Sequence, residues 1–582
     1  MASSPEPAMN DRPVVLLQGL RFLPILLLLA LFAWFTLSKC SIEEAANDQL
    51  ANDLLSDVEE PGWTVVASTV GKECAIVTAD RRKVQSAEGK VLLFYEGTPE
   101  VAHLVLTSCG VKSGKAHTIY LNGEPVAQAQ DDAFHTCMCN GNGRLVTYTL
   151  PDPSIVVNGW NHISVTNDAD ITDSWMAHNL QLIIKGNLSQ AIIAEFAFTS
   201  SYDGSTRYTV YQIPIGHTPG TRVPLLVSIG GTLEDKWDAL SRFAHRANVR
   251  GWLLMAPDIR QVNKESLGRT ASLATQHDIM DAIYYMIRHY EVDVNRIYMS
   301  GFSTGGGVAA TVAAKYPDVF AAVVAWKGPT NLLQWIEQRP QLYFGLVTYD
   351  FGCPPQGNTS ACPFEWRRRA AWELVMNLKH VPMAIVHGRA DDRVPFAQSR
   401  EFYDRMAAFY DPIAHNKLAV WHDGGHVDSL PNFDGLDFLA QFTVNTNPRD
   451  VMIRTDESKS YYWVHVEQRD WNGKHIEGFS NVVADYDLAT RVISATVWDE
   501  RVFEDGTLPI DVTFDLVAMG FDPSTAYTIE DHHIASGKVW CKQDILPVEG
   551  RLTISLPREH LGEERHQYRI YPSSRVGDQT CQ

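Results

Sequence analysis

The sequence predicts a doubly wound, mostly parallel α/β sheet flanked by two β domains. Three observations predict it. A length of 582 residues, at ~100–200 residues per domain, calls for three or four folded units. A composition of 45% hydrophobic and 20% charged residues supplies material for several cores and excludes a disordered chain. The apolar pattern then changes character twice, from short period-2 runs to β–α alternation and back. The expected boundaries are a jelly-roll-like β-sandwich over residues 63–198, an α/β unit over 199–445 and an antiparallel β domain over 446–582.

Residues 1–40 read as a signal peptide or membrane anchor. Residues 22–37 are apolar and follow Arg12 and Arg21; at ~1.5 Å per residue they fall short of a ~30 Å hydrocarbon core unless residues 14–20 extend the span. Leu37-Ser38-Lys39-Cys40 resembles a bacterial lipobox, with Cys40 as the lipidation candidate and Lys39 as the departure from that pattern. Residues 41–62 are acidic and form a tether. The chain is therefore expected outside the cytoplasm, held at the membrane by lipid or helix, or secreted. Its net charge of -20 repels phosphate backbones, so nucleic acid is excluded as a partner.

Nine cysteines are too few for a disulfide scaffold. With Cys40 set aside, the rest group by domain, as closed disulfides require. Cys353 with Cys362 and Cys541 with Cys581 are the expected pairs; Cys74, Cys109, Cys137 and Cys139 admit three pairings. Cys137 and Cys139 lack a second ligand pair at zinc spacing, so no metal is expected.

In the first domain, strands are expected at residues 90–95, 103–106, 118–121 before the Asn122-Gly123 turn, 162–165 and 180–184. Residues 158–165, with Trp175 and residues 180–184, are similar to galactose-binding-like jelly rolls. The likeness implies a substrate-docking module; the alternative is that Trp160 and Trp175 are core aromatics. Asp168, Asp170 and Asp173 are either hard-oxygen calcium ligands or a solvated turn.

The middle unit shows buried-strand runs at 224–229, 252–256, 296–300, 321–325, 381–386 and 417–421. Helix-length segments separate them, as in a parallel sheet covered on both faces. Asp278, Ile279, Ala282, Ile283, Met286 and Ile287 recur at helical spacing. Beyond Asn447-Pro448, residues 461–466, 490–498 and 508–518 alternate as antiparallel strands.

The chemistry lies in the middle unit. Gly301-Phe302-Ser303-Thr304-Gly305 follows a strand and precedes a helix, so the two glycines permit a turn tight enough to hold the Ser303 hydroxyl out at the sheet's carboxyl end. Asp391 and His426 follow on loops after later strands, in the order Ser, Asp, His. A serine hydroxyl needs a base, so His426 takes its proton and Asp391 orients the imidazole. Asp392 is the rival acid and His422 the rival base; His387 is read as structural. The Thr304 N–H and that of Gly231 or Thr232 are the expected oxyanion hole.

These motifs, with residues 278–285, 292–298 and 387–395, resemble the prolyl oligopeptidase family of serine peptidases and its esterase relatives, over residues 224–442. The resemblance implies an α/β-hydrolase fold that cleaves a peptide or ester through an acyl-enzyme without a cofactor, with Ser303, Asp391 and His426 as its triad. About 140 residues upstream cannot supply a seven-bladed propeller. Secreted feruloyl-esterase-like or polyester-degrading depolymerases share the triad order, so peptide and ester substrates, polymeric ones included, both stand. A cell-surface binding protein with a degenerate hydrolase core is the non-enzymatic alternative. Trp326, Trp335, Trp366 and Trp372 line a substrate site or pack an insertion.

Overall fold

The structure is a computed structural model. It describes residues 64–574 except 70–73, 78–85, 131–142, 169–171, 233, 261–269, 343–344, 353–360, 410–416, 428–429, 431, 471–473, 502–509 and 556–564. The N-terminal segment with Cys40, and residues Cys137, Cys139, Asp170, Cys353 and Cys581, lie outside the described residues. Cys109 and Cys541 are each disulfide-bonded. Among the described residues no helix is long and apolar enough to cross a membrane.

The first region is a two-sheet sandwich. One sheet runs Thr64–Thr69, Trp175–Gly186, Val101–Cys109, Arg144–Thr149, with Cys74–Val77 on the second strand; the other runs Ser86–Leu93, Gly159–Thr166, Ala116–Leu121, Glu124–Gln130. Alternate residues point inward, so Leu104, Leu106, Leu182 and Ile184 meet Val91, Ile119, Ile163 and Val165 in one core. Trp175 belongs to it, 2% exposed, with its indole N–H on Thr166 O at 2.8 Å. Trp160 lies under the Lys90 ammonium, 4.3 Å from its ring centroid, and Lys90 pairs with Asp238 of the next unit. Trp175 is thus a core aromatic, while Trp160 is half-buried against the α/β unit. Asp168 accepts from Thr118 N–H and Oγ, and buried Asp173 accepts from Lys112 N–H and His117; both carboxylates staple loops, which corrects the solvated turn for Asp173.

The central sheet has eight strands: β1 (Ile192–Thr199), β2 (Thr206–Ile213), β3 (Val223–Ile229), β4 (Leu253–Pro257), β5 (Val292–Phe302), β6 (Ala322–Trp326), β7 (Met383–Gly388) and β8 (Lys417–His422). Their order is β1-β2-β4-β3-β5-β6-β7-β8, antiparallel at β1/β2 and β2/β4 and parallel elsewhere. The boundary expected at residue 198 is corrected, because β1 pairs with β2 along its length and belongs to this sheet. Strands β3, β4, β6 and β7 are mostly apolar and buried almost along their whole length, because both faces are covered. Leu226, Tyr298, Val324 and Ala384 pack under α1 (Lys236–Val249). Val227, Met299, Val323 and Ile385 pack against α2 (Leu273–His289) and α3 (Thr304–Lys315). The helical spacing read at 278–287 is the buried stripe Ile279, Ala282, Ile283 and Met286 of α2.

The last region is a second antiparallel sandwich of six- and four-stranded sheets around Trp463, Tyr486, Phe514 and Ile570. The single strand expected at 461–466 is two, Lys459–Tyr461 and Val464–Gln468, paired as a hairpin because Tyr462 turns the chain with φ 54. Phe479 enters the α/β core and meets Phe364 edge-on at 4.9 Å. Beside it Arg454 pairs with Glu373 at 2.9 Å and Glu500 at 2.6 Å. Lys315, at the end of α3, is ion-paired with Asp456, which also takes Arg368 at 2.8 Å.

The Asp456 carboxylate is wholly buried between two cations from the α/β unit. Removing one partner of such a cluster strands the others. Asp456→Ala is expected to destabilise the chain by about 3–5 kcal/mol, read as a lower midpoint in chemical denaturation, with both regions losing structure together.

Candidate active site

The sheet order changes direction at β3, whose neighbours are β4 on one side and β5 on the other. Loops leaving β3 and β5 therefore part at the carboxyl edge and open a crevice, the place where such sheets put their sites. Ser303 stands there, between β5 and α3. Its φ of 58 and ψ of −126 are strained for a residue with a side chain. The turn is held by close backbone packing. A Cβ on Gly301 would fall 2.0 Å from Gly305 O, and one on Gly305 2.3 Å from Gly230 O. Ser303 N–H donates to Trp326 O at 2.8 Å.

The structure brings Ser303, His426 and Asp391 into one chain of hydrogen bonds. Ser303 Oγ lies 2.9 Å from His426 Nε2, and His426 Nδ1 lies 2.7 Å from Asp391 Oδ2. Asp391 Oδ1 accepts the N–H groups of Arg393 at 2.9 Å and Val394 at 2.8 Å. Burial alone would raise the Asp391 pKa, but hydrogen bonds from His387, His426 and Val394 N–H outweigh it and hold the carboxyl well below the usual carboxylate range. This arrangement keeps a fixed anion behind the imidazole and a hydroxyl in front of it, which suits nucleophilic attack on an acyl carbon.

The rivals stand elsewhere. Asp392 is exposed, and its main-chain carbonyl takes Arg339 at 2.9 Å. His422 accepts from Gly424 N–H at 3.1 Å, turning the loop that ends in His426. His387, read as structural, does more than close a strand. Its Nδ1 meets Ser399 Oγ at 2.7 Å and its Nε2 lies 2.9 Å from Val394 O and 3.2 Å from Asp391 Oδ2. It positions the acid, a role that the sequence hints at only through its place four residues before Asp391.

The oxyanion region departs from expectation at one donor. Thr304 opens α3, so its N–H, the first of the helix, has no carbonyl four residues back within the helix to bond, while Gly306 N–H closes on Ser303 O. Gly231 lies against the nucleophile, since a Cβ there would sit 3.1 Å from Ser303 Cβ. Its N–H, however, donates to Glu234 Oε2 at 2.7 Å. Glu234 N–H in turn donates to Gly231 O at 3.2 Å, and its carboxylate is ion-paired with Arg242, whose guanidinium lies 4.6 Å from the Phe302 ring centroid. The Thr232 hydroxyl meets that of Thr304 at 3.1 Å, so these two residues border Ser303 together. Trp335 and Trp366 pack the insertion, whereas Trp326 ends β6 and Trp372 packs against the α/β core. Trp366 is fully buried and stacked on Phe351 at 3.9 Å, Trp335 donates to Arg393 O at 3.2 Å, Trp326 donates to Ser300 Oγ at 3.1 Å, and Arg405 covers Trp372 at 4.6 Å.

A group whose folded pKa is depressed contributes stability above its unfolded value, and the contribution is lost as pH falls through the folded one. The wild type is therefore expected to lose stability as pH drops below ~4. Asp391→Asn is expected to be less stable by on the order of 2–3 kcal/mol at neutral pH, with a gap to wild type that closes in acid. Thermal melts from neutral to strongly acidic pH check the convergence.

The profile of the prolyl oligopeptidase family matches residues 261–443. An uncharacterized peptidase of Bacillus subtilis is 22% identical over 164 residues, 28% of this chain and 62% of its own. Feruloyl esterase B of Neurospora crassa is 30% identical over 117 residues, 19% of this chain and 40% of its own. The chain thus spans less than two-thirds of either relative. Among solved structures, a Pyrococcus horikoshii acylaminoacyl peptidase aligns at 19% identity with a TM-score of 0.34, over 41% of this chain and 38% of that one. On the matched residues, the strand order and the turn at Ser303, the central unit is an α/β-hydrolase and a serine hydrolase domain of the prolyl oligopeptidase family.

Proposed function

We propose that the protein is an exported serine hydrolase that cleaves an acyl bond of a peptide through an acyl-enzyme. The observation that carries this reading is the run of hydrogen bonds from Ser303 through His426 to Asp391 on a strained turn. Ser303 Oγ attacks the carbonyl carbon while His426 Nε2 takes its proton. The oxyanion is met by Thr304 N–H at the start of α3, with Thr232 N–H as the second donor because Gly231 N–H serves Glu234. The tetrahedral adduct collapses when His426 returns the proton to the leaving amine, and water then repeats the sequence on the acyl-Ser303. Asp391 keeps the proton on Nδ1 and stabilises the imidazolium.

A second reading, carboxylesterase or depolymerase, is favoured by the esterases among the relatives, including the Neurospora crassa feruloyl esterase. The same atoms serve both leaving groups. Export is supported by the apolar residues 22–37 and by the disulfide-bonded Cys109 and Cys541, which belong to an oxidising compartment.

Fluorophosphonate should label the wild type, and Ser303→Ala should abolish labelling while leaving the melting temperature near that of wild type. Turnover of peptide anilides alongside aryl and alkyl esters separates the two readings. Amide cleavage supports the peptidase; ester cleavage with no amide cleavage replaces it with the esterase. Folded wild type that takes no label would leave a binding protein with a degenerate hydrolase core.

A further inference from the structure

Trp326 and Lys327, at the end of β6, touch all three segments that bear the triad. Ser303 N–H donates to Trp326 O at 2.8 Å, and Lys327 N–H donates to Val386 O of β7, the strand that leads to Asp391, at 2.8 Å. The Lys327 side chain reaches the third segment. Its Nζ donates to Gly425 O and to His426 O, each at 2.8 Å. It also lies 5.9 Å from the centroid of the Phe302 ring, which packs on the His426 imidazole at 5.4 Å.

Lys327 carries two costs. It is 1% exposed, and burying an ammonium costs several kcal/mol before its partners repay it. Its φ of 51 is left-handed, a region that long side chains avoid. Asp423 and Val427, on either side of Gly425 and His426, are exposed, whereas His426 is 4% exposed, so the clamp sits where the loop turns inward.

We propose that Lys327 is a positioning residue for the base. By clamping the Gly425 and His426 carbonyls, it holds the His426 main chain where Nε2 stays within hydrogen-bond reach of Ser303. The proposal rests on the serine hydrolase reading. A displacement of about 1 Å in such a group can cost on the order of 100-fold in rate, so loss of the clamp acts on the chemical step and not on substrate binding.

The test uses the full chain, with fluorophosphonate labelling and hydrolysis of p-nitrophenyl acetate, on wild type, Lys327→Met and Lys327→Arg. Lys327→Met should lower kcat and the labelling rate by roughly 10- to 100-fold at unchanged KM, and Lys327→Arg, which keeps donors for both carbonyls, should recover much of the loss. A folded Lys327→Met enzyme working at the wild-type kcat, or one impaired in KM alone, would overturn the proposal. Should Lys327→Met fail to fold, Lys327→Gln is read by the same criteria; failure of both to fold would assign Lys327 to stability alone and also overturn it. Wild type that takes no label would fail the serine hydrolase reading instead, a result distinct from any of these.

Discussion

Most of the central unit is arranged around the backbone conformation of Ser303. A residue with a side chain at φ 58 and ψ −126 costs on the order of 1–3 kcal/mol and persists only where its surroundings leave no alternative. Here they do not. Gly305 is pressed against Gly230 of the loop after β3, Ser303 N–H is bound by Trp326 O at the end of β6, and Gly306 N–H closes on Ser303 O at 2.8 Å. The strain is spread over three neighbouring strands, each buried on both faces. One consequence is that α3 begins at once, with its leading N–H groups beside the hydroxyl.

The second constraint is electrostatic. Asp391 is an anion with no exposed surface, and a buried charge is tolerable only when its lone pairs are occupied. Two histidines and two backbone N–H groups occupy them. The same rule governs the opposite end of α3, where Lys315 and Arg368 surround the buried Asp456. The nucleophile helix is thus tied at its start to the catalytic crevice and at its end to the C-terminal sandwich, which makes that sandwich a structural partner of the α/β unit and not an appendage.

Much of the fold could be read from residues alone because its signals are local. Apolar runs buried on both faces mark β3 to β7, and helical spacing marks α2. Where reading failed, a contact or a turn outside the local pattern decided. Residues 192–198 read as the end of the sandwich, yet they pair with β2 in the central sheet. Residues 461–466 alternate like one strand, yet Tyr462 reverses the chain. Trp175 and Trp366 have the same signature as binding-site aromatics, and only their neighbours show them buried.

For the site the division is similar. Ser303, Asp391 and His426 were legible because the turn demands glycines at fixed positions and because the three residues follow strand ends in a recognisable order. His387 and Lys327 were not, since a histidine in a strand and a lysine after one carry no local mark of reaching a carboxylate or a carbonyl of another loop. Nor does Gly230-Gly231 in the sequence say which N–H faces the hydroxyl; Glu234 and Arg242 decide that by taking the Gly231 donor. The elements and the chemical groups are legible from residues alone, because steric limits and periodicity act between near neighbours. Which donors are occupied, which charges are paired and which rings are buried depend instead on residues that meet from distant parts of the chain, so these features emerge only once the chain is folded.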